Sequence, residues 1–457
     1  MPKPSQRKVP PGPESGFFDG LRSPLRRDPL TFMTQAAKTY GDIVAFRFLT
    51  VRTYLLVHPD QIEDVLVTNA RKFIKGRALR ANKHLFGEGL LTSEGDLWLR
   101  QRRLMQPAFH RARIAAYAGA MTGFAMRIAK EWKPGQQLDL HREMMRLTLL
   151  VVGKTLFSAD VERDVPQVGK TLDVLLEYAS DLRRMIFFPK WLPTARNFNT
   201  RRAIRLLDKI IFRIIRERRA LAQDTGDLLS TLLSARDEDG SRMSDQQLRD
   251  EVITLFLAGH ETTANALAWT WWLLAQHPEV EEKLHAELER VLGGRLPTME
   301  DLPQFAYTGH ILTESLRLYP PAWAMARLAV EDHEILGYPI PKGTGITVSQ
   351  WIVHRDPRWY EAPAEFRPER WEGNLLKELP RMAYFPFGAG SRQCIGNAFA
   401  LMELTLVLAT IAQGYRFRLV EGHAVTPWAS LTLRPRHGVQ VIVEERKQLR
   451  PDGPGLR

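Results

Sequence analysis

The stretch FGAGSRQCIG, residues 387–396, contains the only cysteine in a chain of 457 residues. A single cysteine excludes an internal disulfide, so the Cys394 thiol is packing, a nucleophile or a metal ligand. Glycines flank the cysteine, and an apolar helical pattern starts directly after it. Glycines let a backbone approach a bulky planar group, and the N-terminal end of a helix favours thiolate over thiol. The surroundings therefore favour a thiolate that binds a metal.

The same stretch resembles the haem-binding loop of the cytochrome P450 superfamily, which reads Phe-x-x-Gly-x-Arg-x-Cys-x-Gly. The positions that match are Phe387, Gly390, Arg392, Cys394 and Gly396. The resemblance implies haem b as cofactor, with Cys394 as the axial ligand of its iron. It also implies that Phe387, Gly388 and Arg392 contact the haem, with the arginine beside a carboxylate.

A second motif, AGHETT, covers residues 258–263 within a long apolar helical pattern. Threonine hydroxyls in a helix can bond back to the carbonyl one turn earlier, so one reading is a kinked core helix. The motif also resembles the oxygen-activation motif of the family. That resemblance implies that Thr262 hydrogen-bonds the oxygen substrate and that Glu261 relays protons to a site otherwise kept dry.

Two further motifs fall in the order expected for the family. Glu314 and Arg317 are three residues apart on a predicted helix, a spacing that also describes an ordinary surface ion pair. With Arg370 they resemble the structural Glu-Arg-Arg triad that holds the cysteine loop. Trp98 and Arg102 lie one helical turn apart, which by itself indicates helix-face packing with a solvated arginine.

The resemblance assigns several residues to the cofactor and the substrate. It implies that Trp98, Arg102 and Arg327 bind haem propionates. The predicted substrate pocket is formed by Ala258, Ala322, Trp323, Met325 and Leu431. These side chains are apolar, so the sequence predicts a lipophilic substrate such as a terpenoid, a steroid or a fatty acid.

The net charge of +12 is strongly basic. Basic residues are scattered through helical patterns rather than gathered in one tract, so we expect no nucleic-acid partner. They form solvated helix faces or a docking surface for an acidic electron carrier. One cysteine cannot hold an iron–sulfur cluster. We therefore expect electrons from a separate ferredoxin- or flavodoxin-type donor and its reductase.

The periodicity predicts a mainly α fold with a small β-rich lobe. Helices are expected at 28–40, 96–106, 244–277 and 397–413, with a hairpin at 41–57 and a closing sheet at 415–444. Ser244 and Gln247 match a capping box at the start of the helix over 244–277. The resemblance implies that haem lies between the long central helix and the helix after the cysteine. Residues 1–13 form a polar, proline-rich segment, and residues 14–457 are expected to form one catalytic domain.

No segment was expected to cross a membrane, because the longest uncharged run of the central helix is shorter than the ~20 residues that a bilayer needs. We expect a cytoplasmic monomer, with loss of an N-terminal anchor as the alternative. The predicted activity is a haem-thiolate monooxygenase that uses O2. The alternatives are a haem-binding sensor or carrier without turnover and a peroxide-driven peroxygenase. The Glu261–Thr262 pair argues against both, since neither needs a proton relay.

Overall fold

The computed structural model describes residues 9–13, 28–48, 51–157, 165–180, 192–221, 226–236 and 240–446. Residues 1–8 of the predicted N-terminal segment lie outside this range. The α-helices are α1 Pro29–Tyr40, α2 Pro59–Glu63, α3 Arg77–Ala81, α4 Lys83–Phe86, α5 Gly95–Met105, α6 Arg111–Ala115, α7 Ala118–Ala129, α8 Leu140–Phe157, α9 Val165–Ser180, α10 Ala195–Leu221, α11 Leu228–Ser234, α12 Asp245–Leu274, α13 Pro278–Leu292, α14 Ala306–Leu318, α15 Gln350–Val353, α16 Leu375–Glu378 and α17 Asn397–Gly414.

Short strands connect these helices. They are β1 Ile43–Phe48, β2 Val51–Leu56, β3 Phe73–Lys75, β4 Gln137–Asp139, β5 Met325–Ala329, β6 His333–Ile335, β7 Tyr338–Ile340, β8 Gly345–Val348, β9 Tyr415–Leu419, β10 Pro427–Ala429, β11 Leu433–Pro435 and β12 Gln440–Glu445. The predicted mainly α fold with a small β component is therefore confirmed.

The chain forms two compact units. The first, here called the β-rich unit, comprises Met1–Asn82, Leu316–Phe366 and Trp371–Cys394. The second, the helical unit, comprises Lys83–Ser315, Arg367–Arg370 and Ile395–Arg457. The boundary falls directly after Cys394, so the cysteine and the helix that follows it are described in different units.

A five-stranded sheet in the order β1-β2-β8-β5-β3 forms the framework of the β-rich unit. Strands β1 and β2 pair antiparallel, which confirms the predicted hairpin. Residues of β1, β2 and β8, such as Val44, Leu55 and Ile346, are buried in one apolar cluster. Asp28 caps α1 by accepting a hydrogen bond from the Thr31 amide, which explains why this helix begins at the predicted position.

Helix α12, with 30 residues, is central to the helical unit. Its start was predicted from Ser244 and Gln247, and both hydrogen bonds of that capping box are present. Helices α8, α10 and α17 contact it, and α17 also contacts α7. Two small sheets complete this unit, one in the order β4-β12-β9 and the other a β10-β11 pair.

Helix α17 differs from the expectation about membranes. It has 18 residues and is apolar enough to cross a bilayer by length and composition, the one such helix in the described part of the chain. The expectation above rested on the longest uncharged run of the central helix, and α17 is a different helix. However, 67% of the helix is buried inside the fold, where α7, α12 and α13 contact it. Its apolar composition is thus that of a core helix.

Candidate functional site

The loop that carries Cys394 is shaped by two glycines in the left-handed region. Gly390 has φ +69°, and a Cβ there would lie 2.0 Å from the carbonyl oxygen of Leu66. Gly388 has φ +70° and passes close to Met325. The Cys394 amide donates to the carbonyl oxygen of Phe387 at 2.9 Å, which closes the loop. The Cys394 side chain is exposed at the end of a tightly constrained backbone.

Side chains elsewhere in the β-rich unit anchor the approach to this loop. The Phe385 amide donates to Nε2 of His354 at 3.0 Å, and the Tyr360 hydroxyl donates to the carbonyl oxygen of Ala383 at 3.0 Å. Burial, followed by the nearby Arg317, lowers the pKa of His354 to about 3, so the ring stays neutral and Nε2 can accept. This role of His354 as a hydrogen-bond acceptor was not predicted from the sequence.

Arg317 is fully buried and serves as a backbone clamp. Its Nη1 donates to the carbonyl oxygens of His354 at 2.7 Å and Pro363 at 2.8 Å. Its Nη2 donates to the carbonyl oxygen of Glu365 at 3.1 Å. A buried guanidinium can be tolerated when its several donors find oxygen partners. Arg317 therefore fixes the chain that leads from α15 toward Pro368.

The predicted partners Glu314 and Arg370 form a buried ion pair in the helical unit. Nε of Arg370 donates to Oε1 of Glu314 at 2.8 Å, and the Arg367 amide donates to the same oxygen at 3.0 Å. Only 7% of the Arg370 side chain and none of the Glu314 side chain is exposed. Glu314 and Arg317 are both fully buried, so their three-residue spacing does not mark an ordinary surface ion pair.

Helix α12 has one uncovered strip. From Leu248 to Trp271 every residue is buried except Ala258, Gly259 and Thr262, of which Ala258 is exposed and the others are half-buried. The Thr262 hydroxyl donates to the carbonyl oxygen of Ala258 at 2.6 Å, the backward bond expected from the sequence. A small residue and a hydroxyl thus lie on the accessible face of an otherwise buried helix.

Glu261 lies beside this strip but points into the protein, with 1% of the residue exposed. Its Oε1 accepts hydrogen bonds from the Thr432 hydroxyl and, at 2.5 Å, from Nε of Arg434. Its Oε2 is buried and has no hydrogen-bond partner among the described residues. Thr432 directly precedes β11 and Arg434 lies within it. Neither residue was predicted from the sequence, because nothing links them to Glu261 along the chain.

The remaining predicted residues lie at the following places. Trp98 and Arg102 are one turn apart on α5, the former buried and the latter half-buried. Arg392 is half-buried in the cysteine loop, and Arg327 is half-buried on β5. The residues predicted to line the substrate pocket are half-buried, apart from the exposed Ala258: Ala322, Trp323, Met325 and Leu431. Within the β-rich unit, Trp323 and Met325 pack against the apolar core.

These residues suit a haem ligated by a thiolate. The β-rich unit presents an exposed thiol on a loop in which Gly390 leaves no room for a side chain. The helical unit presents a strip of α12 that carries only the small residues Ala258, Gly259 and Thr262. Among the described residues no group of three or more His, Cys, Asp or Glu side chains could hold a bare ion. The exposed Cys394 thiol is the type of ligand that a thiolate-ligated haem protein uses.

Comparison with known proteins agrees with this class. The family model for cytochrome P450 matches residues 10–443. Cyclooctatin synthase of Streptomyces melanosporofaciens is 40% identical over 90% of both chains. Cyclooctat-9-en-7-ol 5-monooxygenase of the same organism is 41% identical over 87% of both chains. Pentalenene oxygenase of Streptomyces avermitilis is 38% identical over 90% of this chain and 91% of its own.

The chain belongs to the cytochrome P450 family. Members of this family bind haem b and are oxidoreductases that use O2, a lipophilic substrate and redox partners. The predictions of fold, cofactor and monooxygenase class are thereby confirmed.

Replacement of Gly390 by alanine tests the constraint on the cysteine loop. We expect Gly390→Ala to lower the free energy of unfolding by at least about 2 kcal/mol, because left-handed strain adds to the clash with Leu66. Gly373→Ala is the matched control, since Gly373 has φ +88° and a Cβ there would meet nothing within 4 Å. Urea unfolding measures both variants, and equal losses would contradict the close approach at Gly390.

Proposed function

We propose that the chain is a monooxygenase that inserts one oxygen atom from O2 into a terpenoid. The observation that carries the enzyme class is the exposed Cys394 thiol on its glycine-constrained loop. Relatives 41% and 38% identical are named for action on cyclooctat-9-en-7-ol and pentalenene. The residues assigned to the substrate pocket are apolar, which favours a hydrocarbon-rich substrate. A steroid or a fatty acid is then the less favoured substrate.

The cofactor residues are proposed from the family motif. Cys394 would ligate the haem iron, and Phe387 and Gly388 would help to hold the haem. Trp98, Arg102, Arg327 and Arg392 bind the propionates. When bound, a thiolate-ligated haem supplies the oxygen chemistry that the side chains lack. We assign a structural role to Glu314, Arg317 and Arg370. Arg317 donates to a backbone carbonyl oxygen, and Glu314 accepts from Arg370 and from the Arg367 amide, which supports this role.

Proton delivery is proposed to run through Glu261 and Thr262. Because Oε1 of Glu261 is held by Arg434 and Thr432, Oε2 is the atom that gains and releases the proton. The Thr262 hydroxyl donates its hydrogen to Ala258. Its oxygen therefore keeps lone pairs with which to accept a hydrogen bond from a water that carries protons.

The electron donor is proposed to be a separate acidic protein of the ferredoxin or flavodoxin type, served by its own reductase. The chain has a net charge of +12, and Arg103 is exposed on α5, the helix that bears Trp98 and Arg102. Arg100 on the same helix is half-buried and donates to the Ser241 hydroxyl at 3.0 Å, so it is a weaker candidate for docking. We further propose that residues 14–457 act as one catalytic domain, in a monomer located in the cytoplasm.

Replacement of Cys394 tests the haem-thiolate assignment. We expect Cys394→Ser to lose the thiolate-type band of the reduced CO complex, because the chain has no second cysteine to replace the ligand. Ser391→Ala, an exposed position in the same loop, is the control and keeps the band. Difference spectra of the purified proteins measure this. A thiolate-type band that persists in Cys394→Ser would disprove the assignment.

Replacement of Thr262 tests the proton route and separates turnover from simple haem binding. We expect Thr262→Ala to keep haem and to yield roughly fivefold less product per NAD(P)H, as suits the loss of one hydrogen bond worth about 1 kcal/mol. Thr405→Ala is the control, because Thr405 on α17 makes the same backward bond, to Leu401 at 2.8 Å. Product, NAD(P)H and peroxide are measured together. Unchanged coupling would remove Thr262 from the route.

Titration of the haem spin state tests the substrate class. We expect pentalenene to displace the axial water and to half-saturate at a concentration ~10-fold lower than lauric acid or progesterone, a difference of about 1.4 kcal/mol. Imidazole, which ligates iron and shifts the Soret band the other way, is the control for access to the site. Tighter binding of the fatty acid or the steroid would reject the terpenoid class.

A further inference from the structure

The backbone of Glu88 is held from both sides within the helical unit. Its N–H donates to Oδ2 of Asp250 on α12 at 2.8 Å. Its carbonyl oxygen accepts from Nε2 of Gln101 on α5 at 2.6 Å. Asp250 is 5% exposed and Gln101 is not exposed at all. One residue of the loop before α5 therefore connects that helix to the central helix.

Two glycines allow this loop to lie directly on α12. Gly87 has φ +71°, and a Cβ there would lie 2.0 Å from the Asp250 carboxylate. A Cβ on Gly89 would lie 2.3 Å from the Thr254 hydroxyl oxygen. The Leu90 amide donates to Oε2 of Glu251 at 2.8 Å, next to the bond made by Asp250. Consecutive carboxylates of α12 thus bind alternate amides of the loop.

The charge of Asp250 is compensated on its other side. Its Oδ1 accepts from Nη1 of Arg249 and from Nε2 of Gln246, both at 2.9 Å. A buried carboxylate without such partners is costly, and these bonds to Oδ1 offset that cost while Oδ2 is directed at the loop. The contact between α12 and the loop is therefore a built feature of the fold rather than a chance approach.

Gln101 uses both ends of its side-chain amide. While Nε2 binds the Glu88 carbonyl oxygen, Oε1 accepts from the Ser93 hydroxyl at 2.5 Å. Ser93, like Gln101, is fully buried. An amide bound at both ends has a fixed rotamer, and this fixes the rotation of α5 about its axis. Trp98 precedes Gln101 by three residues and Arg102 follows it directly, so the same rotation sets where those two side chains project.

We propose that Gln101, together with Asp250 and Glu251, is a positioning residue for haem binding. It holds α5 in the rotation at which Trp98 and Arg102 meet a carboxylate of the cofactor. This inference rests on the proposed haem function and on the assignment of Trp98 and Arg102 to a propionate. Gln101 does not itself touch the cofactor in this proposal; it acts through α5.

Release of haem from the holoprotein tests the proposal without use of activity. Transfer of haem to excess apomyoglobin is followed by absorbance for wild type and for Gln101→Leu. We expect release about tenfold faster from Gln101→Leu, as is common when a residue behind a ligand is removed. Gln413→Leu on α17 is the control, because Gln413 is also a buried glutamine of the helical unit, and its release rate stays near that of wild type. Equal release from the two variants would overturn the proposal.

A double variant tests whether Gln101 and Asp250 act together through the backbone of Glu88. Asp250→Asn keeps an oxygen for the Glu88 amide, so we expect a release rate between those of wild type and Gln101→Leu. Both side chains hold Glu88. We therefore expect the increase in release rate of the double variant to be smaller than the product of the increases caused by Gln101→Leu and Asp250→Asn alone. If the two single effects on the release rate multiply to that of the double variant, Gln101 and Asp250 do not act through Glu88 together. If Gln101→Leu fails to fold, Gln101→Glu, which loses the donor to Glu88 but keeps the acceptor for Ser93, replaces it.

The outcomes separate this inference from the function on which it rests. A wild-type protein that lacks the thiolate-type CO band would reject the haem function itself. A wild-type protein with that band, in which Gln101→Leu retains haem as well as Gln413→Leu does, would reject only the positioning role.

Discussion

The close approach of Gly390 to the carbonyl oxygen of Leu66 is the constraint on which the cysteine loop depends. With 2.0 Å between that oxygen and any Cβ, only glycine fits, and only glycine adopts φ +69° without strain. The loop is then closed by the bond from the Cys394 amide to Phe387 and is anchored through His354 and Tyr360. A thiolate that ligates a metal needs such rigidity, because a side chain that could rotate away from the metal would bind it less tightly.

Buried charge organises the helical unit in a comparable way. Glu261, Asp250 and Glu251 all lie on α12 and all accept hydrogen bonds from segments distant in sequence. Each carboxylate would be costly inside the protein without those partners, so α12 and the segments that satisfy it depend on each other. The strip at Ala258, Gly259 and Thr262 is the exception on this helix, because its residues are small and uncharged and leave a face accessible. A helix held so firmly on its other sides can present that face in a fixed position.

Local features of the sequence were sufficient to predict much of this structure. The capping box at Ser244, the Asp28 cap and the hairpin over 41–57 each follow from residues a few positions apart, and all are present. The motif around Cys394 gave the cofactor class for the same reason. By contrast, Arg434 lies 173 residues from Glu261, and Asp250 lies 162 residues from Glu88. Pairs of this kind depend on tertiary packing, and a single sequence contains no local signal for them. Arg317 is intermediate: the motif predicted a structural arginine, but not that its partners would be backbone carbonyls.

Helix α17 illustrates why composition alone misjudges environment. Its 18 residues meet the requirement for a bilayer span by length and composition, yet 67% of the helix is buried inside the protein. An apolar helix is stabilised equally by lipid and by a protein core, because both remove its side chains from water. What distinguishes the two here is the neighbouring structure: α7, α12 and α13 supply the apolar surface that α17 needs. A long apolar helix directly after the cysteine is therefore a requirement of the core, since it gives the chain that emerges from the loop a firmly packed continuation.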